Sequence, residues 1–111
     1  HNLPHGVCNA ILLPIIENFN RPNAVARFAH VAQAMGVDTQ GMSIEAASME
    51  AINAIRALSK RVGIPEGFST LGVTKDDIEG WLDKALADPC APCNPRTASR
   101  DDVRELYLEA L

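Results

Sequence analysis

His5 stands between Pro4 and Gly6, at the entrance to a nearly unbroken apolar run. Proline fixes the approach of the backbone, and glycine leaves room for another backbone or a ligand. From Val7 to Ile16 the only polar side chain is Asn9. A helix apolar on nearly every side belongs inside a protein, with other elements packed round it. At the mouth of such an element the partial positive charge of a helix start disfavours imidazolium, and the neutral imidazole is the form that can bind a metal. The same residue could simply cap or pack a helix start, because one histidine is not a metal site.

Other reactive side chains fall into weaker patterns. Cys90 and Cys93 have the spacing of half a zinc site or of a redox pair. Zinc needs about four ligands, and neither Cys8, His1, His5 nor His30 stands at partner spacing. A redox pair normally opens a helix after a strand, whereas prolines flank and separate these thiols. Two thiols in an ordered loop is the plain alternative. His30 falls beside the apolar stripe of a helix and reads as a surface or boundary residue. Asp76-Asp77 and Asp101-Asp102 are carboxylate pairs, but each follows a hydroxyl residue as a helix-start carboxylate does, so no acid–base role is assigned.

The elements that must hold these groups are helical. Apolar spacings of three and four predict helices from about Pro4 to Phe19, kinked at Pro14, and from about Asn23 to Met35, stopped by Gly36. The third and clearest begins after Ser43 and ends at Gly63, with the stripe Ile44, Ala47, Ser48, Ala51, Ile52, Ile55, Leu58 and Val62. Ile64 to Phe68 reads as an irregular connector. Thr74 and Ser99 open the fourth and fifth helices, each three residues before an aspartate. No alternating strand pattern and no internal repeat is present. The fold class predicted is all-α, with about five helices.

Composition excludes several functions. The chain has 111 residues, 47% of them apolar, and no apolar run approaches the roughly 20 residues of a membrane span. The net charge of −4, without a basic stripe, argues against a nucleic-acid surface. Three cysteines is an odd number, which fits a reduced cytoplasmic compartment better than a disulfide framework. No signal peptide pattern and no glycine-rich phosphate loop occurs.

The run Asn2-Leu3-Pro4-His5-Gly6-Val7-Cys8-Asn9-Ala10-Ile11-Leu12-Leu13-Pro14 resembles the signature that opens the C-terminal half of the helical domain in iron-containing (group III) alcohol dehydrogenases. The resemblance continues through Ala34-Met35-Gly36-Val37, Val62-Gly63-Ile64-Pro65, Leu71-Gly72-Val73 and Asn94-Pro95-Arg96, and so covers essentially the whole chain. One departure is Ile15, where many members carry a histidine that is not a metal ligand.

The resemblance implies a fold, a chemistry and a set of site residues. Members are several times longer, with a dinucleotide-binding domain first and a helical domain second. Residues 1–111 would then be a C-terminal helical fragment of the dehydroquinate synthase-like fold, without the nucleotide-binding domain and inactive alone. His5 matches a ligand of the catalytic divalent metal, iron or alternatively zinc, held in relatives by one aspartate and three histidines. Cys90 matches a cysteine beside the nicotinamide and substrate, and Cys93 replaces a small residue. His1 comes from a position that is often aromatic. The implied reaction moves a hydride between a primary alcohol or aldehyde and NAD or NADP. A homo-oligomeric, cytoplasmic enzyme with a small alcohol or aldehyde substrate is expected, with neither nucleic acid nor membrane as partner. A glycerol dehydrogenase-like or dehydroquinate synthase-like enzyme, or a free-standing helical interaction domain, are the alternatives.

Overall fold

In the computed structural model, residues 3–88 and 91–111 are described; His1 and Cys90 lie outside the described residues. Five helices follow in order: α1 (His5–Asn20), α2 (Val25–Ala34), α3 (Ile44–Arg61), α4 (Lys75–Leu86) and α5 (Arg100–Ala110). Short 3-10 turns occupy Arg21–Asn23, Phe68–Leu71 and Ala91–Cys93, and no strand occurs among the described residues. The chain is therefore all-α, as the three- and four-residue spacings predict.

The helix ends follow from local chemistry. Ser43 Oγ accepts from the Ala46 backbone N–H and starts α3. Thr74 and Ser99 start α4 and α5, and in both cases the aspartate three residues on returns a bond to the cap residue's N–H. Gly36 and Gly63 follow α2 and α3 at φ of +91° and +84°. This left-handed turn lets each glycine N–H reach back into the last turn, Gly36 to the Gln33 carbonyl and Gly63 to that of Lys60. Pro14 lies within α1 and is buried, and the helix continues past it.

Helix α1 runs between two cores. On one side it meets α3, which pairs with α2 around Phe28, Ala32, Ala51 and Ile52. On the other, Ile11 and Ile15 join Phe68, Val73, Ile78 and Ala110, with α4 packed on α5. Phe68 is 1% exposed and meets Trp81 edge to face at 5.9 Å, and Trp81 meets Tyr107 likewise at 5.7 Å. Each such ring pair adds about 0.5–1.5 kcal/mol beyond the area it buries. The segment read as an irregular connector thus ends in the largest fully buried side chain of the described residues.

Two expectations about burial are modified. In α3 only Ala47, Ser48, Ala51 and Ile52 are buried, while Ile44 and Val62 are 60% and 63% exposed. The stripe outruns α2, its ten-residue partner, at both ends. Helix α1 is covered on two sides rather than all round, and Leu13 stays 48% exposed. The molecule is a slab of 45 × 31 × 19 Å. Its accessible surface is 7008 Å², against about 6,000 Å² for a compact monomer of this mass.

Candidate functional site

His5 is the first residue of α1. Pro4 precedes it at φ −59° and ψ 129°, an extended setting from which its carbonyl accepts the Cys8 N–H at 3.1 Å. Proline here removes a donor that the helix start leaves unused. The imidazole is exposed, and its Nε2 lies 3.0 Å from Nδ2 of Asn9, one turn along the helix. A Cβ added at Gly6 would meet no atom within 4 Å, so nothing within the chain demands glycine there. Cys8 is half-buried at the edge of the larger core. Burial first, and the charge of Cys8 second, raise the pKa of Tyr107 above the usual phenol value.

The other sequence candidates do not join this position. His30 is exposed on α2, as a surface residue should be. Cys93 is a free, exposed thiol at the end of a 3-10 turn. Cys90 lies outside the described residues, and so does the geometry of its pairing with Cys93. Among the described residues no three His, Cys, Asp or Glu side chains come together as a metal cluster. His5 fits a metal site as one donor of the right chemistry: an exposed imidazole with one ring nitrogen facing an amide hydrogen.

The carboxylate pairs are structural. Asp77 Oδ2 accepts from the Thr74 N–H at 2.8 Å, and Asp102 Oδ2 from the Ser99 N–H at 3.0 Å. Backbone and then side-chain hydrogen bonds with Ser99 hold the Asp102 carboxyl below its ordinary pKa. Glu79 is lowered chiefly by its hydrogen bond from Arg104, whose own pKa rises.

A polar strap that sequence reasoning missed fixes the loop beyond Cys90. The Asn20 and Asn94 amides exchange hydrogen bonds at 3.0 and 2.6 Å. Arg96 Nη1 donates to the Phe19 carbonyl at 2.9 Å, and its guanidinium lies 4.0 Å from the centre of the Phe19 ring. Asn23 Nδ2 donates to the Pro95 carbonyl at 3.1 Å. α1 has no basic residue in its own last turn, so Arg96 supplies the positive charge its C-terminus favours. The amide-rich sequence from Asn18 to Asn23 was the available signal, though its partner lies 74 residues away.

Between this strap and the helices lies a cavity of about 530 Å³. Leu12, Ile16 and Phe19 of α1, Leu86 of α4 and Tyr107 of α5 form its apolar walls, and Pro92 and Asn94 border it from the loop. The volume suits a small ligand or part of a larger one.

Residues 1–111 match the family model described as Fe-containing alcohol dehydrogenase family, C-terminal. The chain is 43% identical over 110 residues to lactaldehyde reductase of Escherichia coli (strain K12), covering 99% of this chain and 29% of that protein. It is 37% identical over 111 residues to the NAD-dependent methanol dehydrogenase of Bacillus methanolicus, covering 100% of this chain and 29% of that protein. The crystal structure of a 1,3-propanediol oxidoreductase superposes with a TM-score of 0.96 at 35% identity, over 99% of this chain and 29% of that one. This chain thus spans under a third of the length of the relatives it matches. With its five-helix fold, and with Pro4-His5-Gly6 at the head of α1, the chain belongs to the Fe-containing alcohol dehydrogenase family and corresponds to its C-terminal part.

Proposed function

We propose that this chain is the C-terminal helical portion of a longer enzyme that interconverts a small primary alcohol and its aldehyde. His5 is one ligand of a catalytic divalent metal, iron or zinc, and NAD or NADP carries the hydride. The observation that carries this reading is His5 itself, exposed at the first residue of α1 within a whole-chain family match. The names of the relatives add the substrate class: lactaldehyde, methanol and 1,3-propanediol are all small molecules with a terminal hydroxyl or aldehyde group. When bound, the metal would polarise the substrate oxygen while the nicotinamide exchanges the hydride.

The chain's own residues contribute position. Pro4 sets the entry of α1, whose first residue is the exposed His5. Gly6 keeps the adjacent surface free of a side chain. The strap from Asn94 to Arg96 holds the loop that follows Cys90 against α1, beside the cavity. Resemblance to the family pattern supports a role for Cys90 beside the nicotinamide and substrate of the parent enzyme. An odd cysteine count supports a reducing, cytoplasmic setting. The exposed Ile44, Val62 and Leu13 support a homo-oligomer or cover by the rest of the parent protein.

The test is turnover of the parent enzyme with NAD or NADP and short primary alcohols, before and after chelation. Activity lost on chelation and restored by ferrous iron or zinc is expected. Full activity in metal-free protein would refute the reading.

A further inference from the structure

We propose that Asn9 is a positioning residue that fixes the tautomer of His5, keeping the ring proton on Nδ1 and a lone pair on Nε2. The amide nitrogen of asparagine is a donor only. Its Nδ2 stands 3.0 Å from His5 Nε2, a pair that is a hydrogen bond when Nε2 is the acceptor and the neutral ring carries its hydrogen on Nδ1. That is the form in which Nε2 can take a cation without first moving a proton.

The sequence context points the same way. Asn9 is the only polar side chain from Val7 to Ile16, and it is exposed. Asparagine is a poor residue for a helix interior, where alanine is better. Among the described contacts its side chain bonds His5 one turn back. A residue that weakens its own helix, and whose contact is the candidate ligand, is best explained by what it does for that ligand. Ring orientation and tautomer of a ligating histidine are ordinarily set by a hydrogen-bonding neighbour. Here the neighbour sits on Nε2 itself, so a cation arriving at Nε2 replaces the amide hydrogen one for one. Asn9 therefore also competes with the cation. Because holding the tautomer and occupying the lone pair act in opposite directions on affinity, the tautomer is the diagnostic quantity.

The inference rests on the metal-ligand reading of His5 for its purpose, while the tautomer is argued from the amide contact at Nε2. The test is long-range proton–nitrogen NMR of the nitrogen-15-labelled chain, metal-free, at a pH where the imidazole is neutral. In the wild type the His5 Nε2 resonance should be that of an unprotonated ring nitrogen, and Nδ1 that of a protonated one. Asn9→Ala should return the ring toward the Nε2-protonated form that prevails in free histidine, with α1 intact by circular dichroism. Asn9→Asp, isosteric but acceptor-only, should drive the proton onto Nε2 outright. The serine variant Asn9→Ser, too short to reach the ring, should behave as the alanine variant does. An Nε2-protonated wild type, or a tautomer unchanged in both Asn9→Ala and Asn9→Asp, would overturn the proposal. The two readings fail separately: a parent enzyme that keeps its metal after His5→Ala removes the ligand assignment while leaving the tautomer result standing.

Discussion

Asn20 and Asn94 face each other amide to amide, each donating to the other, across 74 residues of sequence. Asn20 is 2% exposed, so Asn94 satisfies a polar group that has left water. Asn94→Ala would take the donor from Asn20 Oδ1 and leave Nδ2 the longer bond to Glu17 Oε1 at 3.4 Å. The loss should be about 1–3 kcal/mol, read as a fall in the denaturant midpoint with little change in slope. Asn94→Asp keeps an acceptor for Asn20 Nδ2 but points a carboxylate at Asn20 Oδ1, so it should not rescue stability at neutral pH.

Glycines at two positions should respond oppositely to alanine. At Gly67 a Cβ would lie 2.5 Å from the Leu111 carbonyl oxygen and 3.0 Å from that of Ala110. Backbone must move to admit it, and Gly67→Ala should cost about 1–3 kcal/mol. Gly6 lies in the first turn of α1 with open space beside it. Gly6→Ala should leave the chain as stable or up to about 1 kcal/mol more so. In the parent enzyme the same change should lower turnover, because it puts a methyl group beside His5. Thermal melts and initial rates together separate the two effects.

Acid should weaken the start of α5. The folded-state pKa of Asp102 is depressed below its ordinary 3.8 by hydrogen bonds with Ser99. A depressed carboxylate contributes stability above its unfolded value and loses it as pH falls through the folded value. Asp102→Asn, which removes that charge, should therefore be less stable than wild type at neutral pH. The gap should narrow as the pH drops below about 3.8, which unfolding curves across that range would reveal.

Surface area makes a prediction about association. The accessible surface exceeds that of a compact monomer by on the order of 1,000 Å², and Ile44 and Leu58 of α3 and Val62 just after it are exposed. The isolated chain should self-associate as concentration rises. Sedimentation velocity showing a single monomeric species over a wide concentration range would count against it.

The residues differ in how far sequence foretold them. Ser43, Thr74 and Ser99 were legible because a cap depends on neighbours three residues away. Gly36 and Gly63 were legible for the same reason. The exposure of Ile44 and Val62 was not, since periodicity gives the facing side of a helix but not the length of its partner. Phe68 was hidden because one aromatic in an irregular segment has no period. The Asn20–Asn94 pair was hidden because long-range polar contacts leave no local pattern. The Asn9–His5 pair, at a spacing of four, could have been read from the helical repeat. His5 was singled out by its resemblance to a family signature; its chemistry alone favoured a structural role at the helix start.

The central claim is that His5 holds metal in the parent enzyme. The most direct measurement is metal content per subunit of the purified wild-type parent and of His5→Ala, alongside nucleotide binding. The account predicts that the variant loses most of its metal and its turnover together while NAD or NADP still binds. A variant that retains both metal and rate would make His5 a helix-start residue and contradict the account.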